Sequence, residues 1–178
     1  MKRWLKVVLV LAAGFVASCT DSGTEPGPIQ EGRFYLEKEF VNTAWGRYVC
    51  RGVFIDNAGL VITYDVGLSG IPWQGMAGEL YTEAELWSKI HHNDTVRGQV
   101  TADTLAWLRH LAYASVSGRM SDTTGTGADM GLVTYSCYTF EGGQGLLRKT
   151  ELRAEGILEY YNTSPNAITL SDWMARIR

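Results

Sequence analysis

The chain has 178 residues, 46% of them hydrophobic and 20% charged, with a formal net charge of −3. That length suffices for one domain with a core needing no covalent staple. The mildly acidic balance excludes nucleic-acid binding and charge-driven attraction to anionic lipid.

Lys2, Arg3 and Lys6 precede an apolar run from Val7 to Val16, too short to cross a bilayer as a helix. A basic n-region and a short h-region read as a secretory signal. The run ends in Val16-Ala17-Ser18-Cys19, which resembles the lipobox of bacterial prolipoproteins. The resemblance implies removal of residues 1–18, diacylglycerol on the Cys19 thiol and N-acylation of the new terminus, with palmitate among the chains. No other cofactor is expected. Thr20, where Asp would retain such a protein in the inner membrane, implies the outer membrane in a two-membrane organism. The bland alternative is ordinary signal cleavage with Cys19 merely nearby.

Losing eighteen residues leaves 13 Lys and Arg against 19 Asp and Glu, a charge of −6. Membrane contact would then come from the acyl chains. Residues 20–32, "TDSGTEPGPIQEG", hold a single aliphatic residue and read, with Cys19, as a flexible tether over 19–32. Its mean reach is about 20 Å. A single domain is expected over 33–178.

In "RGVFIDNAGLVITYD", residues 51–65, two β-branched and aromatic runs flank Asp56-Asn57-Ala58-Gly59, a hairpin pattern without calcium-loop spacing. In "YTEAELWSKIHH", Thr82 and Glu85 form a capping box with Tyr81 and Leu86 as staple, predicting a helix over 83–92. A second helix is predicted over 102–117, with Leu105, Leu108, Ala112 and Val116 as its stripe and Gly118 beyond its end. "LVTYSCYTF", the turn "EGGQG" and "LLRKTELRAE" form a second hairpin, with Lys149, Glu151, Arg153 and Glu155 on a solvated face. Ser164 and Pro165 open a last helix carrying Ala167, Leu170, Met174 and Ile177 on one side. The order predicts an α+β fold, an antiparallel sheet from two hairpins packed with about three helices. The first hairpin and the Trp-containing final helix together resemble segments of secreted bacterial lipoproteins, a resemblance that carries no activity and no site residues.

Chemistry-bearing residues are sparse. His91 and His92 lie about 100° apart on a helix and share an ion only if the helix ends there, which Asn93-Asp94 permits. A metal set of His91, His92 and Asp94, or of Asp122 and Asp129 around the loop "SDTTGTGADMG", is one candidate. An exposed helix end and a polar loop are the bland readings. "GLSG" lacks the spacing of a serine elbow, and the glycine-rich loop is too long for a dinucleotide fingerprint and follows a helix. The tryptophans are expected in the core, except Trp73 in "SGIPWQGMAG", a candidate for contact with a ligand or partner. Cys50 and Cys137, in predicted strands and an oxidising compartment, are expected to form a disulfide.

These features favour a membrane-anchored envelope lipoprotein that binds or scaffolds an envelope protein or glycan without catalysis. The alternative is an envelope hydrolase or metal-dependent enzyme using the His91/His92 pair with Asp122 and Asp129. Intact mass of membrane-extracted protein is expected to begin at residue 19 and to exceed the peptide mass by a diacylglyceryl group, with or without a third acyl chain. Cys19→Ser is expected to lose the anchor and keep the fold; a soluble wild-type product starting elsewhere would refute the lipobox reading.

Overall fold

The structure, a computed structural model, describes residues 32–43, 48–67, 80–91, 93–125, 130–142 and 145–177. Within them the order is β1 (Phe34–Asn42), β2 (Val49–Ile55), β3 (Leu60–Asp65), β4 (Leu80–Tyr81), α1 (Glu83–Ile90), β5 (Thr95–Gln99), α2 (Ala102–Ser115), β6 (Thr124–Gly125), β7 (Leu132–Glu141), β8 (Leu146–Gly156), β9 (Leu158–Tyr161) and α3 (Pro165–Ala175). The strands form one antiparallel sheet ordered β5-β3-β2-β1-β7-β8-β9-β6, with β4 paired to β8. The α+β class and the helices match expectation. The nine-stranded sheet is larger than the two predicted hairpins.

Both predicted hairpins are present, and their turn chemistry is as the residues dictate. Asp56 Oδ1 accepts from Ala58 N at 2.9 Å and Leu60 N at 2.7 Å, while Gly59 takes φ +85°, which favours glycine. Thr82 caps α1 through the expected box: its Oγ1 accepts from Glu85 N at 3.2 Å and Glu85 Oε2 accepts from Thr82 N at 2.7 Å. Ser164 occupies the N-cap of α3 without a side-chain cap bond, and Pro165 stands at N1.

Period-two alternation divides the sheet between two cores. On one face Phe34, Leu36, Ile55, Tyr135 and Leu152 meet α2 and α3. On the other Tyr35, Phe54, Ile62, Tyr64, Tyr138 and Leu147 meet α1 through Leu86 and Ile90. A sheet covered on both sides has no solvated face at its centre, which corrects the expectation for the second hairpin. Lys149 is 3% exposed on the α1 side. A bulge at Tyr135/Ser136 inserts Leu152 and switches the buried positions of β8 from odd, Leu147 and Lys149, to even, Leu152 and Ala154.

The expected disulfide is corrected as well. Cys50 and Cys137 are buried free thiols in different cores. They pair with Val41 and Leu36 of β1, five residues or about 16 Å along the strand, far beyond bridging distance. Burial raises both thiol pKa values to about 12, with Glu39's charge adding at Cys50.

Helix α2 buries Leu108, Leu111, Ala112 and Ser115, whereas Val116 and Trp107 of the expected core are exposed. Gly118 is required by a neighbour rather than by a left-handed cap: a Cβ there would lie 1.7 Å from Asn162 Oδ1. Asn162, buried, donates from Nδ2 to Ser115 O at 3.1 Å and accepts at Oδ1 from Ser164 N at 3.0 Å. One side chain therefore joins the end of α2 to the start of α3.

Behind α1 lies a buried charge cluster. Lys89 Nζ lies 2.7 Å from both Glu37 Oε1 and Glu39 Oε1. Tyr64 and Tyr138 hydroxyls each donate to Glu37 at 2.6 Å, and Cys50 Sγ donates to Glu39 at 3.0 Å. Tyr64 reaches β1 by crossing β2 at Gly52, where a Cβ would come within 2.7 Å of its hydroxyl. At the other end of α1, Glu83 accepts hydrogen bonds from Arg33 and Tyr35. Burial alone would raise the Glu37 carboxyl, but the Lys89 and Lys149 ammoniums and the bonds from Lys89 and Tyr138 hold it down at about 2. Burial likewise opposes the charge of Lys89, and the two carboxylates overcome it and raise its pKa.

A carboxyl whose folded pKa lies below its unfolded value gives stability that is complete above the unfolded value and lost as pH falls toward the folded one. For Glu37 this window opens below its ordinary value of 4.5 and extends down to the lowered folded value. In urea melts from pH 6 to 2, Glu37→Gln is expected to cost about 3–5 kcal/mol at neutral pH and to flatten the acid limb. An unchanged acid slope in the variant would refute this role. Thiol titration of the Cys19→Ser chain is expected to find two groups after denaturation and almost none, within minutes, in the native protein.

Candidate functional site

A cleft of about 380 Å³ opens on the α2/α3 side of the sheet, past the end of α3. Two cross-strand rows make its floor. One runs Val133, Phe40, Arg51, Asp65 across β7, β1, β2 and β3, and the next runs Lys38, Val53, Thr63. Their shared face follows from strand pairing, because residues two apart on each strand point the same way. Phe40, Val53 and Val133 supply apolar surface, while Lys38, Arg51 and Arg97 supply cations and Asp65 one carboxylate.

Each cation is positioned by its element. The Arg51 guanidinium lies over the Phe40 ring, 5.2 Å from its centroid. Lys38 Nζ donates to Ala175 O and Ile177 O, both at 3.2 Å, the favoured place for a cation at a helix C-terminus. Arg97 is the extra residue of a bulge, since Val61 pairs with Gly98 and Ile62 with Val96. Bulges re-aim side chains, and here Arg97 Nε donates to Thr63 Oγ1 at 3.0 Å. The result is an apolar floor rimmed by cations, of which Arg51 and Arg97 are exposed, an arrangement that can hold an oxyanion beside an apolar body.

Cys19, Trp73, His92 and Asp129 lie outside the described residues. His91 caps α1, stacks on Trp87 with centroids 4.9 Å apart, and places Nδ1 3.0 Å from Asp94 Oδ2. Both are exposed at the β5 end of the strand order. Asp122 is at the opposite end, in a polar hollow beside β6 with Arg153, Glu155 and Tyr160. The fold therefore separates His91 and Asp94 from Asp122. Among the described residues no three His, Cys, Asp or Glu side chains are placed to hold a metal ion. No helix of the described residues is long and apolar enough to cross a membrane.

The cleft residues were missed in the sequence. Arg51 and Asp65 stand at the two ends of the quoted hairpin, a cross-strand pair once its register is known. Arg97 sits in "DTVRGQV", a short polar segment between helices that no alternation marks. No protein-family model, curated protein sequence or solved structure matches this chain.

Proposed function

We propose that this chain is a lipid-anchored bacterial envelope protein whose folded domain binds a small ligand without transforming it. The anchor rests on the basic leader and the Val16-Ala17-Ser18-Cys19 ending. The binding role rests on one observation, the cleft in which Phe40, Val53 and Val133 face Lys38, Arg51 and Arg97. Concave, mainly apolar sites with a few fixed polar groups are the usual form of small-ligand sites, and this cleft lies in their size range.

Thermal unfolding of the lipidated chain in neutral lipid nanodiscs, followed by tryptophan fluorescence across a panel of acidic, neutral and basic small molecules, tests the reading. A ligand at 100 times its Kd is expected to raise Tm by about 5–10 °C. Val133→Trp, which fills the cleft floor, is expected to abolish the rise, and the ligand is expected back chemically unchanged. No rise with any compound, an equal rise in the variant, or a chemically altered ligand would each overturn the proposal.

A further inference from the structure

We infer that the ligand of this cleft is a small monocarboxylate with an apolar body, its head held by Arg51 and Arg97 and its body laid on Phe40, Val53 and Val133. This rests on the binding reading above and adds the chemistry of the ligand.

Charge carries the first step. Lys38 is bonded to two main-chain carbonyls, so the guanidiniums are the cations that face a ligand. Among the described residues neither Arg51 nor Arg97 takes part in an ion pair, whereas Arg33, Arg148 and Arg153 all do. With Asp65 as the carboxylate among the described lining residues, three cations leave the rim net positive, which attracts an anion.

Shape carries the second step. The Arg51 guanidinium lies over the Phe40 ring, and Arg97 is tied through Nε to Thr63, a bond that does not use its terminal nitrogens. A guanidinium fork held in this way matches the two coplanar oxygens of a carboxylate. Asp65, directly across from Arg51, sets a limit on ligand charge. A dianionic phosphate would meet its repulsion twice over, so a single negative charge fits best.

Size carries the third step. At about 30 Å³ per water-sized unit, the 380 Å³ of the cleft hold about a dozen non-hydrogen atoms. A carboxylate therefore leaves room for an alkyl or aryl body of about ten carbons.

4-Phenylbutyrate has this size and is the probe. Calorimetric titration of the lipidated chain in neutral phosphatidylcholine nanodiscs, with empty nanodiscs as blank, would compare it with 4-phenylbutanol, 4-phenylbutylamine and 4-phenylbutyl phosphate. The carboxylate is expected to bind about tenfold or more tightly than the alcohol and amine, and more tightly than the phosphate. Arg51→Gln and Arg97→Gln are each expected to weaken the carboxylate about fivefold or more and to leave the alcohol unchanged, while the exposed Arg119→Gln changes neither. Equal binding of acid and alcohol, or preference for the amine or phosphate, would overturn the carboxylate head while leaving a binding cleft in place. Binding unaffected by both Arg variants would place the ligand elsewhere, and absence of binding by all four compounds would sink the cleft itself.

Discussion

The ammonium of Lys89 is what lets α1 pack over the acidic face of this sheet. Glu37 and Glu39 point the same way from the central strand β1 into a space that α1 covers, and Lys89 touches both. Without it, two carboxylates would face each other in a low-dielectric interior, a far larger repulsion than in water. With Lys149 beside them, the buried formal charges balance. Removing any one partner would leave an uncompensated buried charge, so the cluster constrains arrangement as well as stability. It fixes α1, a helix of eight residues too short to stand alone, at one register on the sheet. Tyr64 must cross Gly52 to join it, which ties β3 to β1 through the strand between them.

What could be read in advance follows from where local chemistry acts alone. The caps, the Asp56 turn and the helix stripes are decided within a few residues, and the helices and hairpins fall where those signals place them. β1 escaped because burial on both faces erases alternation, and Glu-Lys-Glu in "FYLEKEFVN" reads as a solvated segment. One signal was present: Lys89 shares the helical stripe of Leu86 and Ile90, and a charge on that face requires a buried partner. The cleft was less legible still, because its rows join residues from strands far apart in sequence. Arg97 reaches it through a bulge, which depends on pairing and not on composition.

The cleft also shows how little net charge says about a site. A chain with a net charge of −3 still gathers Lys38, Arg51 and Arg97 around one cleft. The balanced cluster under α1 projects little field through β2, so the potential at the rim is set by the rim residues themselves.

The bulge that aims Arg97 lies on β5, an end strand of the described sheet, exposed at all five residues. A regular strand in that position would offer a continuous ladder of amide and carbonyl groups to the same edge of another molecule. The extra residue breaks the spacing of that ladder, Arg97 adds charge, and the opposite end stops in a strand of only two residues. On the proposed anchor, copies of this chain diffuse in two dimensions with their orientations partly aligned, conditions under which edge-to-edge stacking would become irreversible clustering. The irregularity that shapes the cleft would then also keep a crowded membrane surface populated by separate molecules.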